Sequence, residues 1–198
     1  MRQVEPDIID EIFSALATQI GALGGMPLGL AVCGGTALSA LGLVTRTTKD
    51  VDVLGVVLED PDSLIIQKIT KFPEWLAHAA GKVRRDFDLP ENWLNLGPAQ
   101  QVESGLPNDL EKRLVSRRYG KYLTIYFISR IDQIHFKLYA AVDRNDYHVQ
   151  DLLALKPTEK EMEMAASWVL FQDVSEVFRS LLKDFLEVHN YGAIAARI

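Results

Sequence analysis

Asp50 and Asp52 stand one residue apart, with Val51 between them and Val53-Leu54 behind. In a strand, residues two apart share a face, so both carboxylates point one way while Val51 and Val53 enter a core. Two acids side by side repel each other and gain nothing from burial, but together they suit a divalent cation. Upstream, Leu30–Cys33 is an apolar run of strand length. Gly34-Gly35-Thr36 breaks it, and Ala37, Leu38, Ala40 and Leu41 form a compact helical turn or two. Taken singly these features are ordinary: a Gly-Gly between strand and helix is a tight turn, and an Asp-x-Asp at a strand start is a solvated edge. Cys33, the only cysteine, reads as a small core residue, because no helper groups can be read around it. Their order along the chain is what points to chemistry.

That order, an apolar strand, Gly34-Gly35-Thr36, a short helix, then Arg46-Thr-Thr48-Lys-Asp50-Val-Asp52-Val, resembles the signature of the polymerase-β-type nucleotidyltransferase superfamily. More narrowly, it is similar to bacterial minimal nucleotidyltransferase domains of the AbiEii toxin type. The resemblance implies that Gly34, Gly35 and Thr36 cradle a nucleoside triphosphate through backbone N–H groups at a helix N-terminus, with Arg46 on the nucleotide side. Unpaired amides and the helix dipole favour anions at such a place. It also implies that Asp50 and Asp52 hold Mg2+ bridging the triphosphate and the attacking hydroxyl.

A second resemblance lies downstream. Lys137-Leu-Tyr-Ala-Ala-Val-Asp-Arg144, followed by Asp151-Leu-Leu-Ala-Leu, is similar to the lysine, arginine and Asp-Leu succession of the AbiEii type. It makes Lys137 and Arg144, seven residues apart and so on one helix face, candidates for triphosphate contacts. The plain alternative is that Lys137 snorkels while Arg144 and Asp151 form a structural ion pair. The functional reading is preferred for Lys137 and Asp151, the structural one for Arg144. Many polymerase-β-type enzymes place a third carboxylate on a later strand, yet Tyr122–Ile128 contains no acid. Either Asp151 is the base, as the AbiEii-type pattern suggests, or the chain binds nucleotide without transferring it.

Composition narrows the field. Hydrophobic residues make up 48% and charged residues 24% of 198, which is ordinary for a folded domain and excludes disorder. A net charge of −6 argues against a strongly basic, salt-driven nucleic-acid surface. One cysteine allows no internal disulfide, and no Cys/His spacing suits zinc. Acids near the N-terminus stand where a signal peptide needs an apolar core, so a cytoplasmic location is expected. Ile20–Val44 is uncharged and long enough to span a bilayer, with Gly21, Gly25 and Gly29 at four-residue spacing, but seven glycines and Pro27 divide it. No membrane is expected. Gly29-x-x-x-x-Gly34 lacks the lysine of a P-loop, and neither a Rossmann fingerprint nor a nucleophile elbow is present.

The elements that must position these residues can be read in order. Asp7 to Leu23 predicts an amphipathic helix with Pro6 at its first position, Asp7, Asp10 and Glu11 at its positive end, and Ile9, Ile12, Phe13, Leu16 and Ile20 as its stripe. Gly24-Gly25 stops it. After the strand bearing the aspartates, Asp60-Pro61 predicts another helix, with Ile65, Ile69, Phe72 and Leu76 at helical spacing. Lys82–Asp88 reads as a loop or short strand, Trp93 as a core anchor, and Gly97–Asn108 as a loop near the site. Tyr122–Ile128 is a further strand. Helices follow over Arg130 to about Val142, Thr158–Phe171 and Val174–Val188, the last with Val177, Leu181, Leu182 and Phe185 on its apolar face.

The expected fold is α/β (α+β): a small mixed sheet flanked by helices in a single domain over 1–198, with a nucleotidyltransferase-like core at about 26–130 and a helical part at about 130–198. The expected activity is a magnesium-dependent transfer of a nucleoside monophosphate from an NTP to RNA, tRNA included, or to protein. A toxin role opposed by an antitoxin follows from the same resemblance. The alternative is a catalytically silent nucleotide-binding or protein-interaction module on the same scaffold.

Overall fold

The computed structural model describes residues 8–45, 47–144 and 147–198. Pro6, Asp7 and Arg46 lie outside the described residues. The chain forms two compact units, Met1–Ser129 and Arg130–Ile198.

The first unit opens with α1 (Ile9–Ala22), whose residues Ile9, Ile12, Phe13, Leu16 and Ile20 are all buried. Gly24, at φ +69°, ends the helix in a Schellman motif. There the Gly25 N–H reaches Ile20 O at 2.9 Å and the Gly24 N–H reaches Gly21 O at 3.1 Å. β1 (Leu28–Cys33) passes directly into α2 (Gly34–Ala40), and β2 (Val51–Asp60) returns antiparallel to β1. β3 (Ser63–Gln67), α3 (Glu74–Phe87), β4 (Leu94–Asn95), α4 (Gln101–Ser104), β5 (Val115–Tyr119) and β6 (Leu123–Phe127) complete the unit. The six-stranded sheet is mixed, in the order β3-β2-β1-β6-β5, with β4 on the edge of β2. β1 runs parallel to β6, and β4 runs parallel to the start of β2. The expected mixed sheet flanked by helices is therefore present.

Leu30, Val32, Val51, Val53, Ile125 and Phe127 supply one sheet face to a core shared with α1 and α3. Trp93 anchors it at 1% exposure, its indole N–H donating to Ala80 O at 3.1 Å. Ile20–Val44 is divided among the end of α1, β1 and α2, and among the described residues no helix is long and apolar enough to cross a membrane.

Three expectations in this unit are corrected. Asp60-Pro61 starts no helix: Pro61-Asp62 is the turn of a hairpin, and Ser63–Gln67 pairs with Val56–Asp60. Ile65 and Ile66 are β-branched, and β2 offers them an antiparallel partner, which outweighs the helical spacing. Lys82–Asp88 is not a loop or strand. Residues up to Phe87 continue α3, where Val83 is buried and Arg84 and Arg85 sit at the negative helix end, and Asp88 is its left-handed cap. Gly97–Asn108 contains a 3-10 turn at Gly97–Gln100 followed by α4. β5 is a strand that the sequence reading did not anticipate.

The second unit is helical: α5 (Arg130–Arg144), α6 (Tyr147–Ala154), α7 (Glu159–Gln172), α8 (Glu176–Val188) and α9 (Gly192–Ala195). Thr158 and Glu161 form a capping box at the start of α7. Arg130 ties three segments together, donating to Leu155 O at 2.6 Å and to Glu161 Oε1 at 2.6 Å. The hydrogen bonds from Arg130, against a smaller cost of burial, hold the Glu161 carboxyl down at about 2. On α8 the buried stripe is Phe178, Leu182 and Leu186, whereas Val177 is 72% and Leu181 48% exposed. The expected apolar face is thus rotated, because apolar residues occur on both sides of this helix and its neighbours select one.

Candidate active site

Asp52 lies between two strands. Across the β1–β2 ladder its partner is Cys33, and across the β2–β4 ladder its partner is Asn95. Val51 and Val53 point into the core, so Asp52, and Asp50 just before the strand, project from the opposite face, both half-buried. The alternation expected from the sequence is what separates acids from valines here.

Gly34 follows Cys33 at φ +69°, a left-handed conformation that turns β1 straight into α2. The Asp52 carboxylate closes over this turn: a Cβ added to Gly34 would stand 2.3 Å from Asp52 Oδ2. Thr36 is fully buried, and its hydroxyl donates to the Asp50 carbonyl at 2.8 Å. Thr48 donates to the same carbonyl at 3.3 Å. The Val51 N–H is held by Trp93 O at 2.5 Å. The main chain on either side of the Asp50 carbonyl is thereby fixed from α2, from the preceding loop and from Trp93, the residue before β4. Thr36 consequently acts on the acidic strand through its side chain, and any contribution to an anion comes from its N–H.

Arg117 of β5 is a residue the sequence reading missed. It donates to Ala40 O, the last residue of α2, at 3.1 Å and to Asp10 Oδ1 of α1 at 2.7 Å. A cation at the C-terminal end of α2 complements the helix dipole. Its signal was hidden in an Arg117-Arg118 pair on a strand recognisable only from its partner β6. Asn95 ends the Trp93-Leu94-Asn95 run, in which the sequence assigned the asparagine no role, since a two-residue strand has no periodicity to detect.

In the second unit Lys137 and Asp151 meet each other. Lys137 Nζ donates to Asp151 Oδ2 at 2.7 Å, with side chains 5% and 2% exposed, and Lys137 lies 5.7 Å from the centre of the Tyr147 ring. Arg144 pairs instead with its neighbour Asp143 at 3.2 Å, at the surface. Gly34, Gly35, Thr36, Asp50 and Asp52 thus gather in one unit, and Lys137 and Asp151 in the other.

Asp50 and Asp52 carry hard carboxylate oxygens, the donor type that Mg2+ takes, and the Asp52 carboxylate crowds the space beside Gly34. Among the described residues no group of three or more His, Cys, Asp or Glu is placed to hold a metal ion. Mg2+ commonly keeps only one or two carboxylates and takes its other ligands from water and phosphate.

No family model matches the chain, and no curated protein matches it. Among solved structures, it is similar to the crystal structure of an antigenic nucleotidyltransferase-like protein from Paracoccidioides brasiliensis. The identity is 13% and the TM-score 0.44, over 92% of this chain and 95% of that one.

Proposed function

We propose that the protein is a nucleotidyltransferase, which moves a nucleoside monophosphate from an NTP to a hydroxyl of RNA or protein. The observation that carries this reading is the contact between Gly34 and Asp52. It brings an anion-favouring glycine turn against an acidic strand that lies well apart from it in sequence. A magnesium triphosphate needs both at once: N–H groups for phosphate oxygens and carboxylates for the cation.

In this reading the N–H groups of Gly34, Gly35 and Thr36 hold and orient the triphosphate. Asp50 and Asp52 face it from the sheet, and Thr36 and Thr48 fix the main chain that carries Asp50. Bound Mg2+ would neutralise charge developing on the phosphates and lower the pKa of the attacking hydroxyl. The acceptor oxygen bonds to the α-phosphorus as pyrophosphate leaves, and the acceptor's proton passes to solvent or a base. Asp151 as that base is supported only by the sequence resemblance, and its ion pair with Lys137 favours a structural role.

The test is incubation with each α-labelled triphosphate, magnesium and total RNA or protein. Label should appear on an acceptor with wild type and be absent with Asp50→Ala and with Asp52→Ala. Label transfer by either variant at the wild-type rate rejects the reading. Triphosphate binding without transfer selects the silent binding module.

A further inference from the structure

Asn95 is the neighbour of Asp52 on the open side of the acidic strand. The two are partners in the short parallel ladder Val51–Leu94, Asp52–Asn95, and adjacent strands lie about 4.8 Å apart. Leu94 and Val51 are both buried in the core, so Asn95 and Asp52, one residue further along, share the opposite face. Both are half-buried.

The orientation of the Asn95 amide is set by its own chain. Its Oδ1 accepts the Gly97 N–H at 2.8 Å, closing an Asx turn. A backbone N–H can only donate, so the oxygen must occupy that position and the NH2 must face the other way. Among the described residues no group accepts a hydrogen bond from the Asn95 NH2. A carboxylate or a free amide oxygen beside Asp52 would serve a cation. With its oxygen turned to the Gly97 N–H, the amide directs its two NH2 donors the other way, and donors serve an anion.

We propose that Asn95 is a further binding residue of the site, donating from Nδ2 to a phosphate oxygen of the polyphosphate, and is not a metal ligand or a base. This rests on the nucleotidyltransferase reading and deepens it. The position beside Asp52 contributes a neutral donor, so the phosphate is gripped from β4 as well as from the Gly34-Gly35 turn.

Inorganic tripolyphosphate with magnesium is the probe, because the contact is with phosphate and not with a base. Binding would be measured by calorimetry for wild type, Asn95→Ala, Asn95→Asp and Asp52→Asn, with the melting temperature of each protein alone. Loss of one charge-assisted hydrogen bond predicts binding about tenfold weaker in Asn95→Ala. Asn95→Asp keeps the acceptor for the Gly97 N–H, and hence the turn, but replaces the donor with a negative charge. It should bind at least as weakly as Asn95→Ala, and it carries the test if the alanine variant melts early. Unchanged affinity in Asn95→Ala, or wild-type or tighter binding in Asn95→Asp, overturns the proposal while loss of binding in Asp52→Asn leaves the wider reading standing. Wild-type affinity in Asp52→Asn, or no binding by wild type, removes both.

Discussion

Lys137 and Asp151 hold each other across α5 and α6 at 2.7 Å, almost entirely out of water. Deleting one partner of such a pair strands a buried charge, which typically costs about 3 kcal/mol or more. Lys137→Ala and Asp151→Ala should each lower the melting temperature markedly. Lys137→Met/Asp151→Leu, which removes both charges and retains bulk, should melt close to wild type. A melting temperature for Lys137→Ala equal to wild type would show that the pair contributes nothing to the fold.

Gly34 should tolerate no side chain. Gly34→Ala meets both the left-handed backbone and Asp52 Oδ2 at 2.3 Å, whereas Gly42, at φ +66°, has open space around it. Gly42→Ala therefore isolates the backbone penalty of about 1–2 kcal/mol. Gly34→Ala should be destabilised more than this in a denaturant titration and should lose binding of magnesium triphosphate. Equal destabilisation of the two variants would mean that Asp52 moves aside without cost.

A magnesium site and a decorative acidic strand respond differently to ligand. A ligand at a hundred times its dissociation constant adds about 2.7 kcal/mol to the stability of the state it binds. Magnesium with a triphosphate should raise the melting temperature of wild type and leave Asp50→Asn/Asp52→Asn almost unmoved. Equal shifts in both proteins, or collapse of the unliganded double variant, would assign the acids to the fold.

The helical unit should weaken in acid through Glu161. Hydrogen bonds from Arg130 hold its carboxyl at about 2, below the ordinary value of 4.5. A depressed carboxylate contributes stability that is complete above the unfolded value and lost as pH falls toward the folded one. Wild type should therefore lose stability between about pH 4.5 and 2, and Glu161→Gln should show a flatter profile over that window in melts followed by circular dichroism. Parallel profiles would remove the pair from the acid response.

What the amino-acid sequence determined by itself was local. The run Leu30–Cys33, the Gly34-Gly35 break, the alternation of Asp50 and Asp52 with Val51 and Val53, and the stripe of α1 all depend on short-range periodicity and glycine stereochemistry. Trp93 was legible as an anchor from its size alone. Tertiary structure decided the rest, because each of those choices needed a partner from elsewhere. Ile65 and Ile66 fit helix and strand spacing alike until β2 offered them an edge. Val115–Tyr119 and the two-residue β4 are strands only because β6 and β2 lie beside them. α8 carries apolar side chains on both sides, and packing within its own unit selected Phe178, Leu182 and Leu186. Above all, neither the closing of Asp52 over Gly34 nor the placing of Asn95 beside Asp52 is encoded in any spacing. Both arise where three separate stretches of chain converge, and that convergence is a property of the sheet.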